Sequence, residues 1–287
     1  MPELPEVETM RRGIAPVAGC RIRAVERPRC RLRPVEITPD LKSWHRRVRG
    51  AEITEVGRIG KRVVLSLSGG DRIVFEPRMT GLVLLAAPPN TTHLRLRLTL
   101  EGGPPELLFW DRRGLGKVRL LAPDKFDAWY GPAQLGPDAL TISVDELRGR
   151  LERSQRPIKV ALLDQKRVAG IGNLYASEIL HAASLHPERP CQKLKADDWR
   201  RVHVCMRQIL ETAVLYEGST LSDGTYRNAL NQEGGYQNHH RVYDKADEVC
   251  LRCRQGVVRR IVQAQRATFF CPVCQPRSQR SAHARPR

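Results

Sequence analysis

Four cysteines constrain this chain more than any other feature. Cys250 and Cys253 form one Cys-x-x-Cys pair, Cys271 and Cys274 form a second, and 17 residues lie between the pairs. That spacing falls within the range of zinc ribbons. Four thiolates complete a tetrahedron and leave no position open for catalysis, so the implied cofactor is one structural zinc ion that serves folding. Two disulfides or a redox pair are the alternative. The other cysteines, Cys20, Cys30, Cys191 and Cys205, are scattered as thiols in a reducing compartment are. Between the pairs, residues 257–262 and 267–270 read as two strands of a hairpin carrying Arg259, Arg260 and Arg266. Such arginines either face solvent or present guanidiniums to phosphates.

Charge favours phosphates. Lys plus Arg number 49 against 31 Asp plus Glu, a formal excess of +18 with a pI near 10.2. Residues 241–287 alone hold 11 basic and 3 acidic side chains. An excess this large opposes compaction through self-repulsion and points to a polyanionic partner, although a merely soluble basic protein is the plainer alternative. Nucleic acid is favoured over membrane. No apolar run approaches the roughly 18 residues that cross a bilayer, and no basic amphipathic helix with a broad apolar face is evident. The first ten residues hold three glutamates and no basic side chain, unlike a signal or transit peptide. A soluble, intracellular protein is the resulting expectation.

Along the chain, residues 1–122 read as a β-sandwich or flattened barrel after a short opening helix, with strands at 21–26, 51–56, 62–67, 72–75, 82–85, 94–100, 107–110 and 118–121. In the run from His93 to Leu100 apolar residues alternate, which predicts one buried and one wet face. Residues 123–156 read as a linker with a local helix opened by a Ser143/Glu146 capping box. From Pro157 the period becomes helical: helices at 157–166 and 174–183 flank a tight turn, a longer one covers 196–216, and a long loop follows. The expected fold class is α+β in two domains. The segments are a sandwich (1–122), a linker (123–156), a helical domain with its loop (157–243), a zinc finger (244–275) and a disordered basic tail (276–287).

Three further places carry chemistry. A helix starting after Gly170-Ile171-Gly172-Asn173 aims free backbone N–H groups outward, as a phosphate requires, unless Asn173 merely caps it. If Met1 is removed, Pro2 carries a secondary amine, and a terminal amine titrates near about 8, so a sizeable fraction is nucleophilic at neutral pH. Glu3 and Glu6 lie beside it, where the blander reading has them offset a helix dipole.

The opening Pro2-Glu3-Leu4-Pro5-Glu6-Val7-Glu8-Thr9, the run from Gly170 to Glu178, and the run from Arg266 to Gln275 resemble, in that order, three motifs of the formamidopyrimidine-DNA glycosylases. The resemblance spans residues 2–275. It implies a β-sandwich carrying the nucleophile, a helix–two-turns–helix domain with a zinc finger, and double-stranded DNA in the cleft between them. It also implies excision of oxidised purines: the Pro2 amine attacks the anomeric carbon of a flipped nucleotide and expels the base, Glu3 acts as general acid, and β,δ-elimination cuts the strand. Lys61, otherwise an exposed turn lysine, matches a lysine that holds a phosphate near the lesion. Glu6, Asn173 and Arg266 carry over as site-shaping and phosphate-binding groups, Met79 as the filler of the gap left by the flipped base, and Arg113 as the reader of the orphaned base.

Two stretches depart from the pattern. Where the family usually has His-Leu-Gly-Met, this chain has Glu76-Pro77-Arg78-Met79, and its wedging phenylalanine is replaced by Leu115. The loop expected over the lesion, 221–241, contains an unusual run from Asn228 to Gln237. Three competing readings stand: an endonuclease VIII-like glycosylase for oxidised pyrimidines, against which Leu4 argues; a non-catalytic binder of damaged DNA, which needs no amine at Pro2; and a zinc-ribbon RNA-binding protein.

Overall fold

The computed structural model describes residues 2–277, and the tail expected over 276–287 lies almost wholly outside them. The chain divides into two compact units, Met1–Leu135 with Glu211–Asn238, and Gly136–Leu210 with His239–Arg287.

The first unit opens with α1 (Leu4–Gly13), which has Pro5 in its first turn, where a missing N–H costs no hydrogen bond, and Arg11 and Arg12 in its last, where the helix dipole favours cations. Nine strands follow: β1 (Arg21–Glu26), β2 (Glu36–Thr38), β3 (Ile53–Ile59), β4 (Arg62–Leu67), β5 (Arg72–Glu76), β6 (Gly81–Leu84), β7 (Leu94–Glu101), β8 (Glu106–Asp111) and β9 (Lys117–Leu121). They form two sheets, ordered β1-β7-β8-β6 and β2-β9-β5-β4-β3. One apolar core takes Val25, Val83, Leu98 and Leu107 from the first sheet and Val63, Leu65, Ile73, Phe75 and Leu120 from the second. Period-2 alternation sends Val64 and Val74 to the opposite face, where α3 (Pro123–Tyr130) covers them with Phe126 and Tyr130. The sandwich is thus as the strand pattern implies.

Three elements of the first unit went unread in the sequence, one of them α3, which lies in the stretch read as linker. Strand β2 is only three residues long and pairs in parallel with β9. Helix α2 (Leu41–Val48) is capped by Asp40, whose carboxylate accepts from the Ser43 N–H at 3.1 Å, and buries Trp44 and Val48 one turn apart. The alternation of β7 is broken by a bulge between Leu94 and Leu96, and Arg95, expected on the wet face, is buried.

The second unit contains α4 (Val144–Leu151), opened by the Ser143 hydroxyl accepting from the Glu146 N–H at 3.1 Å. It continues with α5 (Ile158–Leu162), α6 (Asn173–Ala182) and most of α7 (Ala196–Leu215), and ends in the hairpin β10 (Arg259–Gln263) and β11 (Arg266–Phe270). α5 is shorter than the expected 157–166, because Gln165 leaves the helix to clamp the following turn. Its side chain donates to the Leu163 and Ile171 carbonyls at 3.0 and 2.8 Å and accepts from the Gly170 N–H at 3.0 Å.

Residues 211–238 group with the first unit instead of the helical segment in which sequence placed them. Tyr226 and Ala229 enter the sandwich core, and the Ala229 carbonyl accepts from the Leu85 N–H at 2.9 Å.

Candidate functional site

In the first unit the site is built around the start of α1. Pro2, Glu3 and Glu6 are all buried. Glu3 takes the N-cap position with an extended backbone, and one oxygen of the Glu6 carboxylate accepts from the Glu3 N–H at 2.8 Å. This is the reciprocal arrangement of a capping box, which satisfies a donor that a helix start would otherwise leave orphaned. The second Glu6 oxygen accepts from the Ser219 N–H at 2.9 Å. Gly218 makes that approach possible, for a Cβ there would lie 2.9 Å from the Glu6 carboxylate, and its φ of +78° is one that glycine adopts freely. Glu8 anchors the next turn. Burial alone would raise its carboxyl, but hydrogen bonds from Arg11, Arg12 and Arg58 outweigh that and hold it down at about 2.

Lys61 sits in the two-residue turn between β3 and β4, where Ile59 pairs with Arg62. Gly60 supplies the positive φ, +54°, that such a turn requires at its first central position. This is the hairpin position expected of it.

Asp111 ties the next two groups together. Its carboxylate accepts from the Thr80 hydroxyl at 2.5 Å, the Arg113 N–H at 3.2 Å and the Gly116 N–H at 2.7 Å. Thr80 in turn accepts from the Arg113 N–H at 2.9 Å. The backbone beside Met79 is thereby fastened to the loop that carries Arg113 and Leu115. Arg113 is exposed and Met79 is partly so. Glycine's usual place before Met79 is taken by Arg78, which holds φ at +54°. That conformation costs a non-glycine residue about 1 kcal/mol.

Beneath this loop lies a charge cluster that sequence reasoning missed. The Glu76 carboxylate is buried against Arg119, lies 3.5 Å from both Arg62 and Arg78, and accepts from the Tyr130 hydroxyl at 3.0 Å. Burial pushes its carboxyl up, and Arg62, Arg119 and Arg78 bring it below the ordinary value. Arg62 stacks over Tyr130 and Arg119 over Trp129. The signal was the glutamate that replaces the usual histidine.

The unusual loop run is ordered by its own polar side chains. The Asn228 side-chain oxygen accepts from the Leu230 and Gln232 N–H groups at 3.0 and 2.9 Å, and Thr220 donates to the Tyr226 carbonyl at 2.8 Å while accepting from Gly234 N–H at 2.9 Å.

The second unit holds the remaining groups. Gly172, not Asn173, caps α6, so the Asn173 side chain is spared for another task. Its amide donates to the Ala267 carbonyl at 2.9 Å and its oxygen accepts from Lys159 at 2.5 Å. Lys159 is fully buried and was overlooked; a lysine inside the apolar run Ile158–Leu162 was the available signal. Asn173 is thus held against the residue next to Arg266. In the β10–β11 register, Arg259 opposes Phe270 and Gln263 opposes Arg266, so Arg259 and Arg266 share one face. Arg260 takes the other face.

The four cysteine sulfurs lie within 4.8 Å of one another, with Cys250–Cys274 at 3.8 Å and Cys253–Cys271 at 3.7 Å. A tetrahedral ion with Zn–S bonds of about 2.3 Å places sulfurs about 3.8 Å apart, so the cluster fits zinc. The Gly256 and Cys274 N–H groups point at Cys253 and Cys271 sulfurs, 3.3 and 3.5 Å away, as donors to thiolates do. His181 on α6 lies 3.5 Å from the Cys250 sulfur, and Arg252 donates to the His181 carbonyl at 2.9 Å, which couples the metal site to α6.

Known proteins share this arrangement. Residues 1–118 match the formamidopyrimidine-DNA glycosylase N-terminal domain, 135–225 its H2TH domain, and 247–277 the zinc finger found in FPG and IleRS. The chain belongs to the formamidopyrimidine-DNA glycosylase family. A relative of that name from Chloroflexus aurantiacus is 38% identical over 281 residues, 96% of this chain and 98% of its own. One from Thermus thermophilus is 40% identical over 282 residues, 96% and 98% of the two chains. Among solved structures, the MutM (Fpg) protein of Thermus thermophilus superimposes with a TM-score of 0.82 at 37% identity, covering 96% of this chain and 98% of its own. A Lactococcus lactis Fpg mutant in complex with Fapy-dG-containing DNA gives 0.84 at 31% identity, covering 96% and 100%. In this family setting the four cysteines form one structural zinc site.

Proposed function

We propose that this chain is a base-excision DNA glycosylase with AP lyase activity, which removes oxidised purines from duplex DNA through the amine of Pro2. The observation that carries the reading is the start of α1, where Pro2 and Glu3 are buried and Glu6 fixes the backbone between them. Relatives across nearly the whole chain carry the glycosylase name, and a Lactococcus lactis Fpg has been solved with abasic-site DNA at 30% identity.

The chemistry follows from the groups. Once Met1 is removed, the Pro2 nitrogen uses its lone pair to attack C1′ of the damaged nucleotide. The glycosidic bond breaks, the base leaves with that electron pair, and it takes up a proton. Glu3 protonates the sugar ring oxygen as the ring opens, and a secondary amine loses its one proton to give a cationic iminium. That electron sink acidifies the C2′ proton, so the 3′ phosphate leaves, and then the 5′ phosphate. Hydrolysis of the iminium regenerates the amine. Lys61, Asn173, Arg259 and Arg266 serve as phosphate ligands, with Arg260 as a separate contact on the other hairpin face. Met79 fills the space vacated by the flipped base, Leu115 wedges beside it, and Arg113 reads the orphaned base. The enzyme acts as a monomer in the bacterial cytoplasm; in support of the location, the relatives that match over nearly the whole chain are bacterial.

Borohydride trapping tests the reading, with duplexes bearing 8-oxoguanine opposite cytosine, a plain abasic site or an oxidised pyrimidine. Native protein should form a covalent adduct, best with the oxidised purine, and Pro2→Gly should lose it. Best trapping on the pyrimidine would favour the endonuclease VIII-like reading. No adduct on any duplex, with binding intact, would make the chain a non-catalytic binder.

A further inference from the structure

Between β1 and β2 the chain carries Arg27, Arg29, Arg31 and Arg33 within seven residues, all exposed. Elsewhere in the first unit exposed arginines mostly meet a carboxylate: Arg12 with Glu8, Arg21 with Glu52, Arg23 with Glu101 and Arg112 with Asp223. None of the four loop arginines makes an ion pair among the described residues. Four exposed like charges kept close together without carboxylate partners leave a local positive potential, which water and salt screen and a polyanion would relieve.

The loop is also built into the site. A Cβ on Gly114 would lie 2.3 Å from the Arg33 carbonyl oxygen, so the backbones of the arginine loop and of Arg113–Leu115 touch. A second tie runs through Cys30, whose thiol donates to the Thr92 carbonyl at 3.1 Å and accepts from the Arg95 guanidinium at 2.6 Å. Arg95 is buried and donates to the Asp111 carbonyl at 2.8 Å. The bulge that turned Arg95 inward therefore ties the arginine loop to the residue that fixes Arg113 and Thr80.

We propose that Arg27, Arg29, Arg31 and Arg33 form a phosphate track for the undamaged strand, beside the orphaned base. The assignment rests on the proposed role of Arg113. A loop that abuts Arg113–Leu115 follows the strand whose base Arg113 contacts. The sequence-reading arginines and the phosphate-holding arginines then move as one body, so that base readout and backbone grip are set together.

The test is equilibrium binding of the full-length protein to a duplex holding a tetrahydrofuran abasic analogue, measured across salt. Methylphosphonates, which are uncharged, replace phosphates near the lesion on one strand or the other. Native protein is compared with a variant carrying Arg→Gln at all four positions and with a second carrying Arg→Lys at all four. Every phosphate that the protein no longer neutralises lowers the slope of log K against log salt by about 0.9, so the glutamine variant should fall by about 2 or more while the lysine variant keeps the native slope. Undamaged-strand methylphosphonates should weaken native protein about tenfold or more at ~0.1 M salt and leave the glutamine variant nearly unaffected. An unchanged slope in the glutamine variant, or disappearance of its sensitivity to damaged-strand neutralisation instead, would overturn the proposal. Borohydride trapping by the same variants reports separately on the Pro2 chemistry, so failure of the track and failure of the glycosylase reading are distinguishable.

Discussion

Glu6 accepts a hydrogen bond from the backbone of Ser219 at 2.9 Å, across 213 positions of sequence, while its other oxygen holds the Glu3 N–H. One carboxylate thus fixes both the residue after Pro2 and the start of the loop 219–238. A glutamine there must turn its amide toward one of two N–H donors, and a buried donor left unsatisfied costs about 1–3 kcal/mol. Glu6→Gln is expected to lower the melting temperature and to slow base excision more than strand cleavage at a preformed abasic site. Equal slowing of both steps in single-turnover assays would contradict this assignment.

Glu8 makes acid stability testable. Its folded carboxyl sits at about 2 against an ordinary 4.5, so its contribution is fully present above about pH 5 and fades as pH falls toward 2. Glu8→Gln should therefore destabilise the protein near neutral pH by about 1–3 kcal/mol, with a deficit that shrinks on acidification. Chemical denaturation of both proteins across that pH range measures it. A deficit independent of pH would mean that packing, not charge, holds this turn.

At Glu76 the three guanidiniums of Arg62, Arg78 and Arg119 decide the outcome. Removing one partner from a buried ionic cluster leaves uncompensated charge, at a cost of about 3–5 kcal/mol. Glu76→Gln should destabilise on that scale. Glu76→His, although it restores the residue usual in the family, should be no better, because an imidazole cannot neutralise three arginines. Thermal melts of the two variants check this, and a native-like Glu76→His would refute it.

For the zinc site, chelation with metal loss verified by mass spectrometry should abolish DNA binding. The cluster holds β10 and β11 together at Cys271, and β11 supplies the Ala267 carbonyl that positions Asn173. Unchanged affinity in fluorescence anisotropy after complete metal removal would show that the hairpin stands without its ion.

Local rules made much of this legible. Short β-rich runs located eight of the strands, and cysteine spacing located the metal site, because both are set by neighbours in sequence. What stayed hidden depends on partners far along the chain. The inward turn of Arg95 serves Cys30 and Asp111, the burial of Lys159 serves Asn173 and Ala267, and the allegiance of residues 211–238 is set by Glu6, Leu85 and the sandwich core. Periodicity carries no information about such pairings. Asn173 is the instructive case: its residue type left a helix cap open beside the phosphate-binding reading, and only the tertiary contact shows its side chain engaged away from the cap.

The turn between β10 and β11 gives the last prediction. Gln263 pairs with Arg266, leaving Ala264 and Gln265 as the two central residues, with φ of +46° and +60°. Both angles lie in the left-handed region, as a type I′ turn demands, and the turn normally recruits Asn-Gly for that reason. An alanine and a glutamine there each cost about 1 kcal/mol, held in place by the ladder and the metal site. Ala264→Asn with Gln265→Gly should therefore raise stability by about 1–2 kcal/mol and slow zinc release to a competing chelator. The strain lies directly before Arg266, so relaxing it also asks whether that arginine needs a tensed turn to meet its phosphate. If stability rises while DNA affinity is unchanged, the strain is incidental. If affinity falls as stability rises, the turn is held strained because that geometry aims Arg266.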